Sequence, residues 1–226
     1  MKRVLFFQRG EFYHIYNRGT EKRNIFTSNV DRERFLSLLF LCNSSIPVVL
    51  SLQGRTLEKA RQIKRGDPLV QLCAYCLMPN HFHFLIRDRV KNGTSRFMQK
   101  LITGYTMYFN KRYERTGALF QGKFRATHID NDRYLSYLIA YIHLNPVKLI
   151  EPKWKEMGIT NRTKAEEYLN AYRYSSYRDF LGYQRIEKII LEKDALPRYF
   201  TTSQSFKQYI SNWLDYKRLQ GSTLEK

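Results

Sequence analysis

The sequence is short of cysteine and of uninterrupted apolar runs, and each shortage excludes a class of protein. It contains 3 cysteines among 226 residues, an odd number that does not suit the disulfide framework of a small secreted domain. The most apolar region, residues 35–52, is interrupted by Asn43-Ser44-Ser45 and Pro47, so it lacks the ~18 consecutive apolar residues of a membrane-spanning helix. Met1-Lys2-Arg3 begins like a secretory signal, but the apolar stretch after it ends at Phe7, too early for a signal core. We therefore expect a soluble, cytoplasmic protein with no membrane partner.

Acidic side chains are also scarce, which leaves a large positive charge. Lys and Arg number 39 against 20 Asp and Glu, for a net charge of +19. A surface this positive is typical of proteins that bind a polyanion, and without a membrane segment we expect that polyanion to be a nucleic acid. The 17 Tyr and 15 Phe agree weakly with this expectation, since aromatic rings can stack on unpaired bases. We expect most of them to lie in the core.

Apolar periodicity predicts alternating strands and helices up to residue 145. The predicted strands cover 12–17, 69–78, 82–86 and 118–129, and the predicted helices cover 31–41, 56–64, 95–113 and 131–145. Pro79-Asn80 predicts the turn of a β-hairpin. Leaving out the short helix at 56–64, the order β-α-β-β-α-β-α predicts an α+β fold, a ferredoxin-like sandwich with one added helix. We expect one domain over 1–150 and a small helical extension over 151–226 that packs on it.

The sharpest local feature is His81-Phe82-His83, directly after the predicted turn. Residues i and i+2 of a strand face the same side, ~6.6 Å apart along the backbone, so both imidazoles can meet one metal ion. A pattern this short also arises by chance on a solvated strand. Tyr141 and Asn145, four residues apart, share one face of the last predicted helix. From spacing alone, a core stripe that ends in a helix terminator is the simpler interpretation of that pair.

Four longer strings resemble a known family. They are YHIYNRGT at 13–20, YCLMPNHFHFLI at 75–86, GALFQGKFRA at 117–126 and YIHLNPVK at 141–148. In this order they resemble the HUH single-tyrosine transposases, and within these the REP-associated tyrosine transposases, over residues 10–180. The resemblance implies the same order of strands and helices that the periodicity predicts.

The resemblance also implies an activity and the residues that perform it. His81 and His83 would bind a divalent metal ion, Mg²⁺ or Mn²⁺, with Asn145 as the third ligand. Tyr141 would attack a phosphodiester of single-stranded, hairpin-forming DNA, which would be cut and rejoined through a covalent phosphotyrosine by a monomer or a homodimer. Such an attack needs help from the cation, because only about one tyrosine in a thousand is ionised at neutral pH.

Basic residues cluster around the end of the second long helix and the strand that follows it. Arg112, Arg115, Lys123 and Arg125 bracket this connection, and we expect them to contact DNA phosphates. Arg18, inside the first of the four strings, joins this set of DNA-binding candidates.

Two other patterns point to different chemistry. Residues 117–123 fit the start of a phosphate-binding loop, GxxxxGK, but Phe124 replaces the required Ser or Thr and the segment leads into a predicted strand, so we reject ATP binding. Cys73 and Cys76 form CxxC without a second pair. A strand would point them in opposite directions, and we expect buried thiols there instead of a zinc site.

The remaining tyrosines and histidines of interest receive other assignments. Tyr105 and Tyr108 are rival nucleophiles on the long helix, but neither has an Asn or Gln four residues on, and we assign them to the core. For His14 we favour packing over a role behind the metal ligands. His143 is interpreted as structural or as a DNA contact, and His128 stays open.

Two alternatives to a transposase stay open at this point. The ferredoxin-like sandwich is also the fold of RNA-recognition modules, so a non-catalytic nucleic-acid-binding regulator is the main alternative. A replication initiator or relaxase would share the HUH chemistry, but such proteins usually carry long accessory regions, for which 226 residues leave little room.

Overall fold

The computed structural model describes residues 6–47 and 56–214. The signal-like start at Met1-Lys2-Arg3 and the end of the apolar region after residue 47 lie outside the described residues. The strands are β1 (Phe12–Arg18), β2 (Val70–Met78), β3 (His81–Asp88) and β4 (Arg125–Ile129). The helices are α1 (Asn29–Cys42), α2 (Leu57–Ala60), α3 (Gly93–Arg112), α4 (Asp132–Leu144), α5 (Trp154–Met157), α6 (Arg162–Ala171), α7 (Tyr177–Phe180) and α8 (Ser203–Leu214).

The four strands form one antiparallel sheet in the order β2-β3-β1-β4. β2 and β3 are the predicted hairpin, and β1 pairs with both β3 and β4. The predicted α+β fold is confirmed. Within the described part of the chain, no helix is both long and apolar enough to cross a membrane.

Alternation along the strands gives the sheet two different faces. Tyr13 and Ile15 of β1, with Phe82 and Phe84 of β3, pack into a core under α1 and α3. The opposite face carries the other residues of each strand and packs against α4 and the chain after residue 150. The two histidines of β3, at positions 81 and 83, therefore lie on the α4 face, because successive strand residues point to opposite sides.

The fourth strand is shorter than predicted. It spans only Arg125–Ile129, whereas the sequence pattern predicted a strand from residue 118. Gly117 and Gly122 adopt positive φ angles of 82° and 70°, which turn the backbone out of the extended conformation. The turn is held to β1 by the Asn17 side-chain amide, which donates to the Gly122 carbonyl at 3.2 Å.

The prediction that Cys73 and Cys76 point in opposite directions is wrong. The pairing of β2 with β3 shifts register between Leu72 and Ala74, so one extra residue is inserted there and the alternation slips. Both cysteines consequently lie in the same buried cluster on the α4 face, and their thiols are buried.

The segment after α6 attaches to the outer edge of β2. The Leu77 amide donates to the Tyr174 carbonyl at 2.9 Å, and the Ser176 amide donates to the Tyr75 carbonyl at 3.0 Å. His143 of α4 is fully buried and shares a hydrogen bond of 2.8 Å with the Ser176 hydroxyl, so its role is structural. These hydrogen bonds attach the later segment to the sheet. The division into a domain over 1–150 and an extension over 151–226 stays a prediction.

Asp31 joins the start of α1 to the end of α3. Its fully buried carboxylate accepts hydrogen bonds from the Thr27 amide and hydroxyl at 2.9 and 2.8 Å. The phenols of Tyr108 and Tyr113 donate to it at 2.9 and 2.8 Å. Burial alone would raise the pKa of Asp31, but the bonds from Tyr113, Thr27 and Tyr108 outweigh it and hold the pKa below its ordinary value. Tyr108 is therefore engaged in the fold, as expected for a core residue.

We expect Asp31→Ala to lower the free energy of unfolding by about 3 kcal/mol, because several buried donors lose their acceptor. Urea denaturation followed by circular dichroism measures this loss. The exposed Asp67 provides the control, and Asp67→Ala should unfold like wild type.

The same carboxylate predicts a pH dependence of stability. Its pKa is lower in the folded than in the unfolded chain, so its contribution is complete above the unfolded value of ~3.9 and is lost as pH falls through the folded value. The stability difference between wild type and Asp31→Asn should therefore narrow below pH ~4. A difference that stays constant with pH would contradict this assignment.

Candidate functional site

The site lies on the α4 face of the sheet, where β1 and β3 run side by side. Residues paired directly across antiparallel strands share a face, and Arg18 pairs with His81 while Tyr16 pairs with His83. On its other side Tyr16 pairs with Arg125 of β4. The sheet therefore presents two histidines, one tyrosine and two arginines to the helix above it.

Tyr141 of α4 reaches this face directly over the histidines. Its ring lies 5.4 Å from the ring of His83, nearly perpendicular to it. The rings of His81 and His83 lie 5.0 Å apart, also perpendicular. The structure thus brings together three of the predicted site residues that come from distant parts of the sequence.

Hydrogen bonds fix the orientation of both imidazoles. The side-chain oxygen of Asn80 accepts from Nδ1 of His81 at 2.6 Å, because an amide oxygen can only accept, and this leaves the lone pair on Nε2. Nδ1 of His83 shares a hydrogen bond of 2.9 Å with Nε2 of His14. When Nδ1 of His83 donates the proton in this bond, the other ring nitrogen of His83, Nε2, carries a lone pair. Histidines that bind a metal through one ring nitrogen typically make a hydrogen bond through the other ring nitrogen.

The surroundings keep both imidazoles neutral. Burial lowers the pKa of His81 to about 4, with further contributions from the positive charges of Lys148, Lys155 and Arg18. Burial also lowers the pKa of His83 well below its ordinary value, and neighbouring charges act in the same direction. Neutral imidazole is the form that binds a metal ion, so near pH 7 neither ring needs to lose a proton first.

Asn145 caps α4 one turn after Tyr141. Its side chain is almost fully buried, and its amide donates to the Tyr141 carbonyl at 2.8 Å, which leaves the side-chain oxygen as an acceptor. No group of three His, Cys, Asp or Glu in the described chain could hold a metal ion. The side-chain oxygen of Asn145, predicted as the third ligand, belongs to none of those four residue types.

Lys155 contacts Tyr141 and was not among the predicted site residues. Its ammonium donates to the Tyr141 phenol oxygen at 3.2 Å and lies 4.3 Å from the centre of the ring. It comes from α5, after the four strings that carry the family resemblance. The signal that could have found it is the closely spaced series Lys148, Lys153 and Lys155 just after Pro146.

Two residues of β1 complete the surroundings of His83. The sequence favoured a packing role for His14. In the structure, Nε2 of His14 is hydrogen-bonded to Nδ1 of His83. The ring of Tyr16 lies nearly parallel to that of His83 at 5.8 Å. Tyr16 is thus a second phenol beside the histidines, and it lies in the string YHIYNRGT, where alternation with His14 could have indicated it.

The basic candidates fall into two groups. Arg18 and Arg125 lie on the same sheet face as the histidines, and Arg18 also donates to the Gln121 side chain. Lys123 is exposed in the turn before β4. The other two belong to the end of α3, on the opposite side of the sheet, where Arg112 lies 3.6 Å from the Asp31 carboxylate and Arg115 donates to Asn110.

Comparisons with known proteins agree with this geometry. A family model described as IS200-like transposase matches residues 11–145. Among solved structures, a REP-associated tyrosine transposase bound to a REP hairpin has a TM-score of 0.51 at 12% identity, covering 89% of this chain and 96% of that chain. At this identity the likeness shows a shared fold. The search of curated proteins gave no match.

A second solved structure, tRNA(His) guanylyltransferase from Saccharomyces cerevisiae, has a TM-score of 0.36 at 9% identity and covers 88% of this chain and 83% of that chain. A score this low supports no conclusion. The resemblance inferred from the four strings is confirmed by the family match and by the shared fold. Since the matched segment spans more than half of the chain and includes His81, His83, Tyr141 and Asn145, this protein belongs to the IS200-like transposase family.

Proposed function

We propose that this transposase cleaves and rejoins single-stranded, hairpin-forming DNA through a covalent bond between the DNA and Tyr141. The observation that carries this proposal is the contact of the Tyr141 ring with His83 at 5.4 Å, beside His81. A tyrosine whose ring contacts one of two neighbouring imidazoles lies beside the residues that would hold a cation, and a cation can assist attack on a phosphodiester.

The proposed step exchanges one ester bond for another. A lone pair of the Tyr141 phenol oxygen forms a bond to phosphorus, while the bond from phosphorus to one deoxyribose oxygen breaks and that oxygen leaves with the electron pair. The phenol proton passes to solvent, and the leaving oxygen takes up a proton to become a hydroxyl. Because the phosphotyrosine ester replaces the original ester, attack by a second hydroxyl rejoins DNA without ATP.

The metal ligands in this proposal are Nε2 of His81, Nε2 of His83 and the side-chain oxygen of Asn145. Single-tyrosine transposases generally depend on a metal. We propose Mg²⁺ or Mn²⁺, and this donor set does not choose between the two. A bound divalent ion supplies positive charge that stabilises the phosphate oxygens during the attack.

The DNA partner is supported by charge and by the solved relative, which is bound to a REP hairpin. Arg18, Arg125 and Lys123 are the phosphate contacts that we propose next to the site, with Arg112 and Arg115 further away at the end of α3. The protein acts as a monomer or a homodimer, and a monomer suffices for the attack because one chain supplies Tyr141 and both histidines.

We predict that Tyr141→Phe abolishes the covalent adduct and leaves DNA affinity nearly unchanged, since it removes the attacking oxygen and keeps the ring. A denaturing gel with a labelled hairpin oligonucleotide and Mn²⁺ detects the adduct. Tyr16→Phe is the matched control, because Tyr16 is the other phenol beside His83. Adduct formed by Tyr141→Phe and lost in Tyr16→Phe would reverse the assignment.

We predict that His81→Ala and His83→Ala each eliminate metal-dependent cleavage and weaken Mn²⁺ binding, because each removes one of few protein ligands. Asn145→Ala should reduce cleavage and Mn²⁺ binding by less than either histidine variant. Titration calorimetry measures the metal affinity, and His128→Ala is the control, because His128 pairs with Glu11, just before β1, and not with the site histidines. Wild-type Mn²⁺ affinity in His83→Ala would rule out this site.

We predict that a hairpin with a flanking single strand binds more tightly than an unstructured oligonucleotide of equal length, and that the preference persists at high salt. Replacing Lys123 and Arg125 by Ala should weaken the binding of both oligonucleotides. It should also flatten the plot of log affinity against log salt concentration, by about 0.7 in slope per lost phosphate contact. Fluorescence anisotropy at several salt concentrations measures both effects.

The control for the binding experiment removes two positive charges at a different place in the chain. Arg198 and Lys207 are exposed in the last described segment of the chain, and their double replacement by Ala should leave the slope as in wild type. Equal affinity for hairpin and unstructured oligonucleotide at every salt concentration would indicate a generic basic surface and favour a non-catalytic binder.

A further inference from the structure

Lys155 lies outside the segment that matches the family, which ends at residue 145, yet it contacts the proposed nucleophile. Its ammonium is 3.2 Å from the Tyr141 phenol oxygen and lies against the same ring at 4.3 Å from its centre. One ammonium thus makes both a hydrogen bond to the phenol oxygen and a cation–π contact with the ring.

The short helix that carries Lys155 is anchored on both sides. Trp154, the residue before it, is buried at 4% exposure. The Glu151 carboxylate accepts hydrogen bonds from the Thr160 amide at 2.8 Å and the Asn161 amide at 3.0 Å, which ties the chain before α5 to the chain after it. The position of Lys155 is therefore set by the fold of this segment.

The charges around the histidines suit an anionic ligand. Lys148, Lys155 and Arg18 all lie near enough to His81 for their charges to act on it, and Lys148 and Lys155 act on His83. Positive charge at this place attracts anionic ligands. A lysine ammonium has three N–H donors, so it can bind more than one acceptor.

We propose that Lys155 is a catalytic residue of the strand-transfer reaction, which holds the Tyr141 hydroxyl in position and binds a non-bridging oxygen of the scissile phosphodiester. This assignment rests on the proposed function, in which Tyr141 is the nucleophile. It adds a phosphate-binding group that comes from the chain after the family segment.

The test compares Lys155→Met with Lys153→Met. Both remove one positive charge from the same short segment, but Lys153 is exposed to solvent. We measure the single-turnover rate of adduct formation at saturating hairpin oligonucleotide with Mn²⁺, and separately the dissociation constant of the DNA. Lys155→Met should slow the adduct rate about 100-fold, the effect of losing one donor to a charged transition state, with only a few-fold change in affinity. Lys153→Met should behave like wild type.

Two further variants separate catalysis from folding. Lys155→Arg keeps the charge and the donors, and it should recover part of the rate that Lys155→Met loses, which a purely structural role would not predict. If Lys155→Met has a lower melting temperature than Lys153→Met, the rate is measured in the polar variant Lys155→Gln instead. The expected loss of rate is the same.

The outcomes distinguish this inference from the proposed function. If wild type forms no adduct, or forms it equally in Tyr141→Phe, the proposed function fails and the role of Lys155 fails with it. If the adduct depends on Tyr141 but Lys155→Met reacts as fast as Lys153→Met, only the role of Lys155 is overturned. A slow adduct rate in Lys155→Met with at most a few-fold change in DNA affinity, and partial recovery of the rate in Lys155→Arg, supports it.

Discussion

The antiparallel pairing of β1 with β3 determines where each group of the site stands. Its register places His83 opposite Tyr16 and His81 opposite Arg18, and all four side chains consequently share one face of the sheet. A slip of one residue in either strand would turn that strand's two side chains to the face under α1 and α3 and separate them from the other two. The apolar residues between them, such as Phe82 and Phe84, are fully buried on that other face and make such a slip costly.

The helix α4 and the chain after it close the site from above. Asn131 caps the start of α4 by accepting from the Tyr134 amide at 2.8 Å, and Pro146 follows Asn145 in a short 3₁₀ turn. Tyr141 and Asn145 thus occupy the last turns of a helix whose two ends are defined by local sequence. The later segment adds Lys155, so the site is built from β1, β3, α4 and the chain that follows α4.

Much of this arrangement follows from sequence patterns, because it depends on short-range periodicity. The alternation in β3 gives His81 and His83 the same face, and the four-residue spacing does the same for Tyr141 and Asn145. Periodicity does not say which face of a helix meets which face of a sheet. The resemblance of the four strings to a family supplied that link before the geometry was known.

The features that sequence patterns missed depend on tertiary contacts or on single backbone irregularities. The bond between His14 and His83 joins adjacent strands whose register no local pattern encodes, and Lys155 reaches Tyr141 because the chain folds back after α4. The bulge beside Cys73 and the early turn at Gly122 each interrupt an otherwise regular strand pattern. An inserted residue or a positive φ angle leaves little trace in the alternation of apolar residues.

The central claim is that the Tyr141 phenol oxygen becomes bonded to DNA, and peptide mapping of the adduct tests it most directly. Wild-type protein is incubated with a hairpin oligonucleotide and Mn²⁺, digested with nuclease and protease, and analysed by tandem mass spectrometry. The account predicts a nucleotide phosphate attached to the peptide that contains Tyr141, and to that tyrosine within it. Attachment to Tyr16 or to any other residue, or the absence of a modified peptide when DNA is cleaved, would contradict it.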